Sequence, residues 1–144
     1  MVPNFNIDGD LPVGVYPMTI GETAQHFGSV NPTRRILFLR LKRVYDCALQ
    51  TGHLHRFIVF GSFVTNKPMP NDVDIFMIMD NDFDVAMVTG ADKLIFDHLS
   101  AQTHFGASIF WIRKLAAFGG EQTTIENWQI KRNGAERGIV EIVK

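Results

Sequence analysis

Residues 57–76 read FIVFGSFVTNKPMPNDVDIF. The run Phe57–Phe60 is unbroken and apolar, which predicts a strand covered on both faces. Gly61-Ser62 follows it, and nine residues later Asp72 and Asp74 bracket Val73 at the start of a second apolar run. Side chains two apart on a strand share a face, so both carboxylates emerge on one side while Val73 and Ile75 point into packing. Like charges this close repel, and one would take up a proton unless a cation lay between them. Magnesium resolves the conflict, because it takes carboxylate and phosphate oxygens and keeps several waters. Gly61-Ser62 sits where the preceding strand ends, a common ligand position in α/β sheets. Glycine admits a phosphate close to the backbone, and Ser62 adds a hydroxyl and an N–H. A Mg²⁺ pair at Asp72 and Asp74 beside a phosphate grip at Gly61 and Ser62 meets the two needs of a nucleoside triphosphate.

Outward from this stretch, residues 1–18 carry three prolines and three glycines without periodicity and are expected to form an extended arm. The segment 19–52 is helical. Thr19 and Glu22 have capping-box spacing, Gly28 ends the first helix, and Asn31-Pro32 opens a longer one with the apolar stripe Leu37, Leu41, Val44 and Ala48. Residues 53–144 supply the sheet. Strands are expected at RFIVF, VDIFMIM and ASIFWIR, with a helix from about Ala91 to Ala101 and a short one near Glu121 to Trp128. Asn133-Gly134 predicts a hairpin-like turn. The order indicates a single α+β domain, a mixed sheet with helices packed mainly on one face.

At 144 residues, such a domain buries about 70% of its unfolded surface. A net charge of −1 gives no global attraction to nucleic acid or anionic lipid. Cys47 is the only cysteine, which excludes an intrachain disulfide and fits a reducing, cytoplasmic setting. The N-terminal residues lack the basic and apolar regions of a secretory signal, and no apolar run is long enough to span a bilayer.

Phe60-Gly61-Ser62, followed after nine residues by Asp72-Val73-Asp74-Ile75, resembles the signature of the DNA polymerase beta-type nucleotidyltransferase superfamily. The resemblance covers residues 55–80 by motif and extends to about residue 113 by order of elements. It implies transfer of a nucleoside monophosphate from an NTP to an acceptor, with release of pyrophosphate. Gly61 and Ser62 would hold the outer phosphates, and Asp72 and Asp74 would bind the metals. The acceptor it implies is a protein side chain, an RNA end or a small molecule. Small bacterial relatives also pair with a helical protein partner in toxin–antitoxin modules. The sequence departs from the pattern at one point. Active relatives place a third carboxylate on the next core strand, where this chain reads Ala107-Ser108-Ile109-Phe110, and Asp97 and Glu141 lie elsewhere. The alternative is therefore a catalytically inactive nucleotide-binding or regulatory module.

Lys67 lies in the loop within potential reach of a phosphate. Arg34, Arg35, Arg40, Lys42 and Arg43 make the long helix locally basic, and a solvated face accounts for them better than a nucleic-acid patch. The helices flanking Gly28 hint at a helix-turn-helix, but the second carries a broad apolar stripe and no set of base-reading side chains, which argues against DNA binding. His53 and His55 lack Cys or acid partners at zinc-site spacing. Trp111, Phe110 and Trp128 read as core residues, and Cys47 as a small apolar one.

Overall fold

The antiparallel pairing that the 57–76 stretch demands is the centre of the sheet. In the computed structural model, which describes residues 2–144, β2 (Leu54–Phe60) pairs with β3 (Val73–Met79) so that Phe60 faces Asp74 and Leu54 faces Met79. On one side β3 runs parallel to β4 (Ala107–Arg113), with Asp74 opposite Ser108. On the other, β2 is antiparallel to β5 (Ile139–Ile142), which is parallel to β1 (Val15–Met18). The five-stranded sheet has the order β1-β5-β2-β3-β4 and is mixed. This is the expected α+β architecture.

Its two faces are covered unequally. Phe57, Val59, Val73, Ile75 and Met77 pack beneath α2 (Pro32–Gln50), through Leu37, Leu41, Val44 and Ala48. The segment Gly90–Phe96 and α3 (His98–Phe105) extend the same layer with Ile95, Phe96, Ala101 and Phe105. The opposite face, formed by Ile58, Phe76, Ile78 and Ile139, is covered by Ile125 of α4 (Glu121–Asn127) and by Trp128. Helices thus lie mainly on one face, and the thinly covered face leaves room at the Phe60–Asp74–Ser108 end of the strands. Among the described residues, no helix is long and apolar enough to cross a membrane.

The caps form where local chemistry demands them. Thr19 and Glu22 close a reciprocal capping box on α1 (Ile20–Thr23), and the Asn31 side chain accepts from the Arg34 N–H at the start of α2. Two expectations are corrected. The arm at 1–18 does not only pack on the domain: it turns at residues 7–10, and its last residues join the sheet as β1. Pro17 is tolerated there because β1 is an edge strand, where a missing N–H costs no ladder bond on the open side. The single helix expected at Ala91–Ala101 is divided into the 3₁₀ segment Gly90–Phe96 and α3. Asp97 accepts from Ser100 N–H as the cap of a new helix, and Gly106, at φ 62°, ends it. The Asn133-Gly134 turn is hairpin-like as expected, flanked by an antiparallel bridge between Ile130 and Glu136.

The basic helix also needs correction at Arg34, which is 2% exposed. Its guanidinium donates to the carbonyls of Phe27, Phe63, Thr65 and Lys67, at 2.6–3.2 Å. It thereby ties α2 and the turn ending at Gly28 to the loop after β2. Arg34→Met leaves those carbonyls unpaired. It is expected to destabilise the protein by about 3 kcal/mol or more in urea denaturation. Arg34→Lys should recover only a small part of this, since an ammonium lacks the planar fork.

Candidate active site at the strand ends

The C-terminal end of β2 and the N-terminal ends of β3 and β4 meet at one edge of the thinly covered face. Gly61 leaves β2 at φ 79°, a conformation that favours glycine. A Cβ on Gly61 would overlap the Asp74 carboxylate, so the glycine and the acid require each other. The sequence reading assigned the bare Cα to phosphate approach. The structure adds a prior reason, which is room for Asp74 itself. Ser62 then opens the 3₁₀ turn Ser62–Val64, and its carbonyl is held by the Thr65 hydroxyl at 2.6 Å.

Asp72 and Asp74 emerge on the same side, as the strand alternation requires. Ser108, opposite Asp74 in the register, donates its hydroxyl toward Asp72 Oδ2 at 3.5 Å and accepts from Gln102 Nε2 at 3.2 Å. Ser108 therefore occupies the place beside the two acids. Neither of the other acids considered joins them. Asp97 caps α3, and Glu141 grips Arg56 through both oxygens at 2.6 and 2.8 Å, which holds the guanidinium proton more firmly than usual.

Asp74 and Ser108, but neither Asp72 nor Ser62, line a cleft of about 450 Å³ together with Phe60, Gly61, Gln102 and His98, and Lys131, Arg132 and Arg137 supply its cationic wall. The cationic wall comes from the turn between α4 and β5, more than fifty residues from the acids in sequence. It is held by Asp10, 5% exposed, which pairs with Lys131 at 2.6 Å and Arg137 at 3.4 Å. The arm also reaches the loop after β2, through Asn66 N–H to Gly9 carbonyl at 2.9 Å. Lys67 is exposed and does not line the cleft; its carbonyl is the group that Arg34 holds. Sequence reasoning missed the three basic residues. Their only signal was the density of charge in KRNGAER, which reads as an ordinary polar turn.

An aromatic shelf completes the cleft. Trp128 lies 4.6 Å from Phe60, 4.9 Å from Phe76 and 5.3 Å from Phe110 between ring centroids. His98 stacks on Phe110 at 4.8 Å. Trp128 thus seals the sheet face as expected, but Phe110 is exposed rather than core.

A family model described as "Family of unknown function (DUF6932)" matches residues 3–143. The chain belongs to that family. No curated protein and no solved structure matches it. The match spans the arm, the sheet and the basic turn together, so all walls of the cleft fall within the family's extent.

Burial, and then the charge of Asp72, push the Asp74 carboxyl up to about 6, against the pull of Arg137 and Arg132. A carboxyl raised by folding holds its proton more tightly in the native state than in the unfolded chain. Its stabilising effect is thus complete below the unfolded value of 3.8 and is lost as pH rises to about 6. Ionised Asp74 consequently destabilises the metal-free protein at neutral pH. Asp74→Asn is expected to raise metal-free stability by about 1 kcal/mol at pH 7.5, allowing for solvent screening at the cleft mouth, and to leave it unchanged near pH 4. Urea titrations at the two pH values check this. A loss of stability at pH 7.5 would mean that Asp74 serves a structural ion pair.

Proposed function

We propose that the protein binds a Mg²⁺–nucleoside triphosphate in this cleft and transfers the nucleoside monophosphate to an acceptor hydroxyl. The observation that carries the reading is a carboxylate in the cleft, Asp74, with Asp72 beside it across Ser108, set against a cationic wall in the same lining. Asp72 and Asp74 offer oxygen donors suited to magnesium, and Lys131, Arg132 and Arg137 face them where a polyphosphate would need counter-charge. The residues fit the metal because Asp74 is raised by burial and then by the charge of Asp72, and a bound cation would offset both.

Asp72 and Asp74 would hold the ion, which supplies charge neutralisation at the reacting phosphoryl group. Gly61 clears the room in which Asp74 sits at the strand end, and the basic wall would orient the pyrophosphate. The acceptor oxygen bonds to the α-phosphorus as the bond to the bridging α–β oxygen breaks. Pyrophosphate leaves, and the acceptor proton passes to solvent. The aromatic shelf offers flat apolar surface at the far side of the cleft.

Ser108 favours a second reading, in which nucleotide binds without transfer. It stands in register with Asp74, the position at which the nucleotidyltransferase resemblance calls for a third carboxylate. Incubation of the protein with Mg²⁺, each α-labelled NTP and a cell lysate decides between the two. Transfer is expected to label an acceptor, with Asp72→Asn and Asp74→Asn losing the label by roughly a hundredfold or more. Binding without label, with label appearing in Ser108→Asp, supports the second reading. No binding of any NTP sinks both.

Arg132 is the cleanest probe of the basic wall. It is exposed and makes no ion pair among the described residues, whereas Lys131 and Arg137 also hold Asp10. Arg132→Ala should weaken Mg²⁺–ATP binding roughly tenfold in calorimetry while leaving the melting temperature unchanged.

A further inference from the structure

The β2–β3 ladder has a second chemically unusual end. His53 precedes β2, and Asp80 and Asp82 follow β3, so the antiparallel register that sets Phe60 against Asp74 also brings these three together about six residues away, on the order of 20 Å. The backbone fixes them. Asp80 N–H donates to the His53 carbonyl at 2.8 Å, and Phe83 N–H to the Asp80 carbonyl at 3.1 Å, which turns Asp80 and Asp82 toward the same ring. His53 Nδ1 lies 3.2 Å from Asp82 Oδ1 and 4.0 Å from Asp80 Oδ2, and one ligand atom from each residue falls within 4.8 Å of the others.

We propose that His53, Asp80 and Asp82 form a second divalent-metal site, for an ion of the zinc class, independent of the cleft. Ligands at about 2.1 Å from a tetrahedral zinc are separated by about 3.4 Å. The His53–Asp82 pair already meets that spacing, and the half-buried Asp80, 4.0 Å from His53, closes the set by a rotamer adjustment of its carboxylate. The imidazole selects a borderline ion over magnesium or calcium, and the two carboxylates balance its charge.

Among the described residues, neither carboxylate has a lysine or arginine within ion-pair distance. Nearby Arg113 is committed elsewhere, with Nε donating to the Phe83 carbonyl at 2.7 Å and the guanidinium lying 5.3 Å from the Trp111 ring centroid. His53 and Asp82 open into a cavity of about 440 Å³ that also presents Asp84 and Asp92 and is lined by no lysine or arginine. A three-ligand site facing such a cavity leaves coordination positions for water or a small donor ligand. The sequence reading dismissed His53 because no acid stood at helical or finger-type spacing. The acids are supplied across the ladder, some thirty residues away.

The test titrates the full chain with ZnCl₂ by calorimetry and with CoCl₂ by visible absorption, without nucleotide, in wild type, His53→Gln, Asp82→Asn and Asp74→Asn. One equivalent of Zn²⁺ is expected to bind wild type and Asp74→Asn alike. Affinity should fall roughly tenfold or more in His53→Gln and in Asp82→Asn. The Co²⁺ bands should shift or vanish in His53→Gln. Asp82 is 79% exposed on its side chain, so its variant is expected to melt like wild type and isolates the ligand effect from folding. Absence of binding at millimolar Zn²⁺, or equal affinity in wild type and both ligand variants, overturns the proposal.

Discussion

Arg34 is a buried cation with no carboxylate partner among the described residues, and the geometry of the cleft depends on how that charge is satisfied. A guanidinium taken out of water requires several acceptors. Here they are carbonyls of Phe27, Phe63, Thr65 and Lys67, three of them in the loop between β2 and β3. A loop whose carbonyls turn inward to one fork has little freedom to shift. The loop's first residue, Gly61, leaves the strand at positive φ and clears the space that Asp74 fills. The position of the acid pair therefore follows from an arginine on a helix that never touches the cleft.

The cleft itself joins segments from both ends of the chain. Asp10 in the arm holds Lys131 and Arg137 by ion pairs, and Gly9 in the same arm accepts from Asn66 in the loop after β2. The parallel pairing of β1 with β5 keeps the arm beside the basic turn. Acidic floor and cationic wall are thus positioned by one strap. A change at Gly9 or Asp10 would be felt at both walls, though neither residue lines the cleft.

What could be read from the sequence was what neighbouring residues decide. Alternation placed Asp72 and Asp74 on one side, the apolar runs located β2, β3 and β4, and the Thr19–Glu22 and Asn31-Pro32 patterns located two helix starts. Partners distant in sequence decided the rest. Val15–Met18 is a strand because β5 lies beside it, 124 positions from Val15 to Ile139, and nothing in VYPM declares that. Arg34 looked like one of five surface charges because periodicity does not reveal four waiting carbonyls. The basic wall and the His53–Asp80–Asp82 cluster were hidden for the same reason, since each is assembled by the register of the sheet. Asp97 was misread locally: its capping bond to Ser100 was legible in DHLS, but the apolar residues before it suggested a continuous helix.

The most direct test of the cleft as a Mg²⁺–nucleotide site is residue-resolved NMR with Mn²⁺ as a paramagnetic substitute, recorded with and without a non-hydrolysable nucleoside triphosphate. The expected result is nucleotide-dependent broadening centred on Gly61, Asp72, Asp74 and Ser108, with shifts at Lys131, Arg132 and Arg137 in a diamagnetic Mg²⁺ sample. Nucleotide-dependent broadening should be absent near His53, at the opposite end of the ladder. Spectra in which nucleotide changes nothing around Asp74 and Ser108 would contradict the assignment of the cleft.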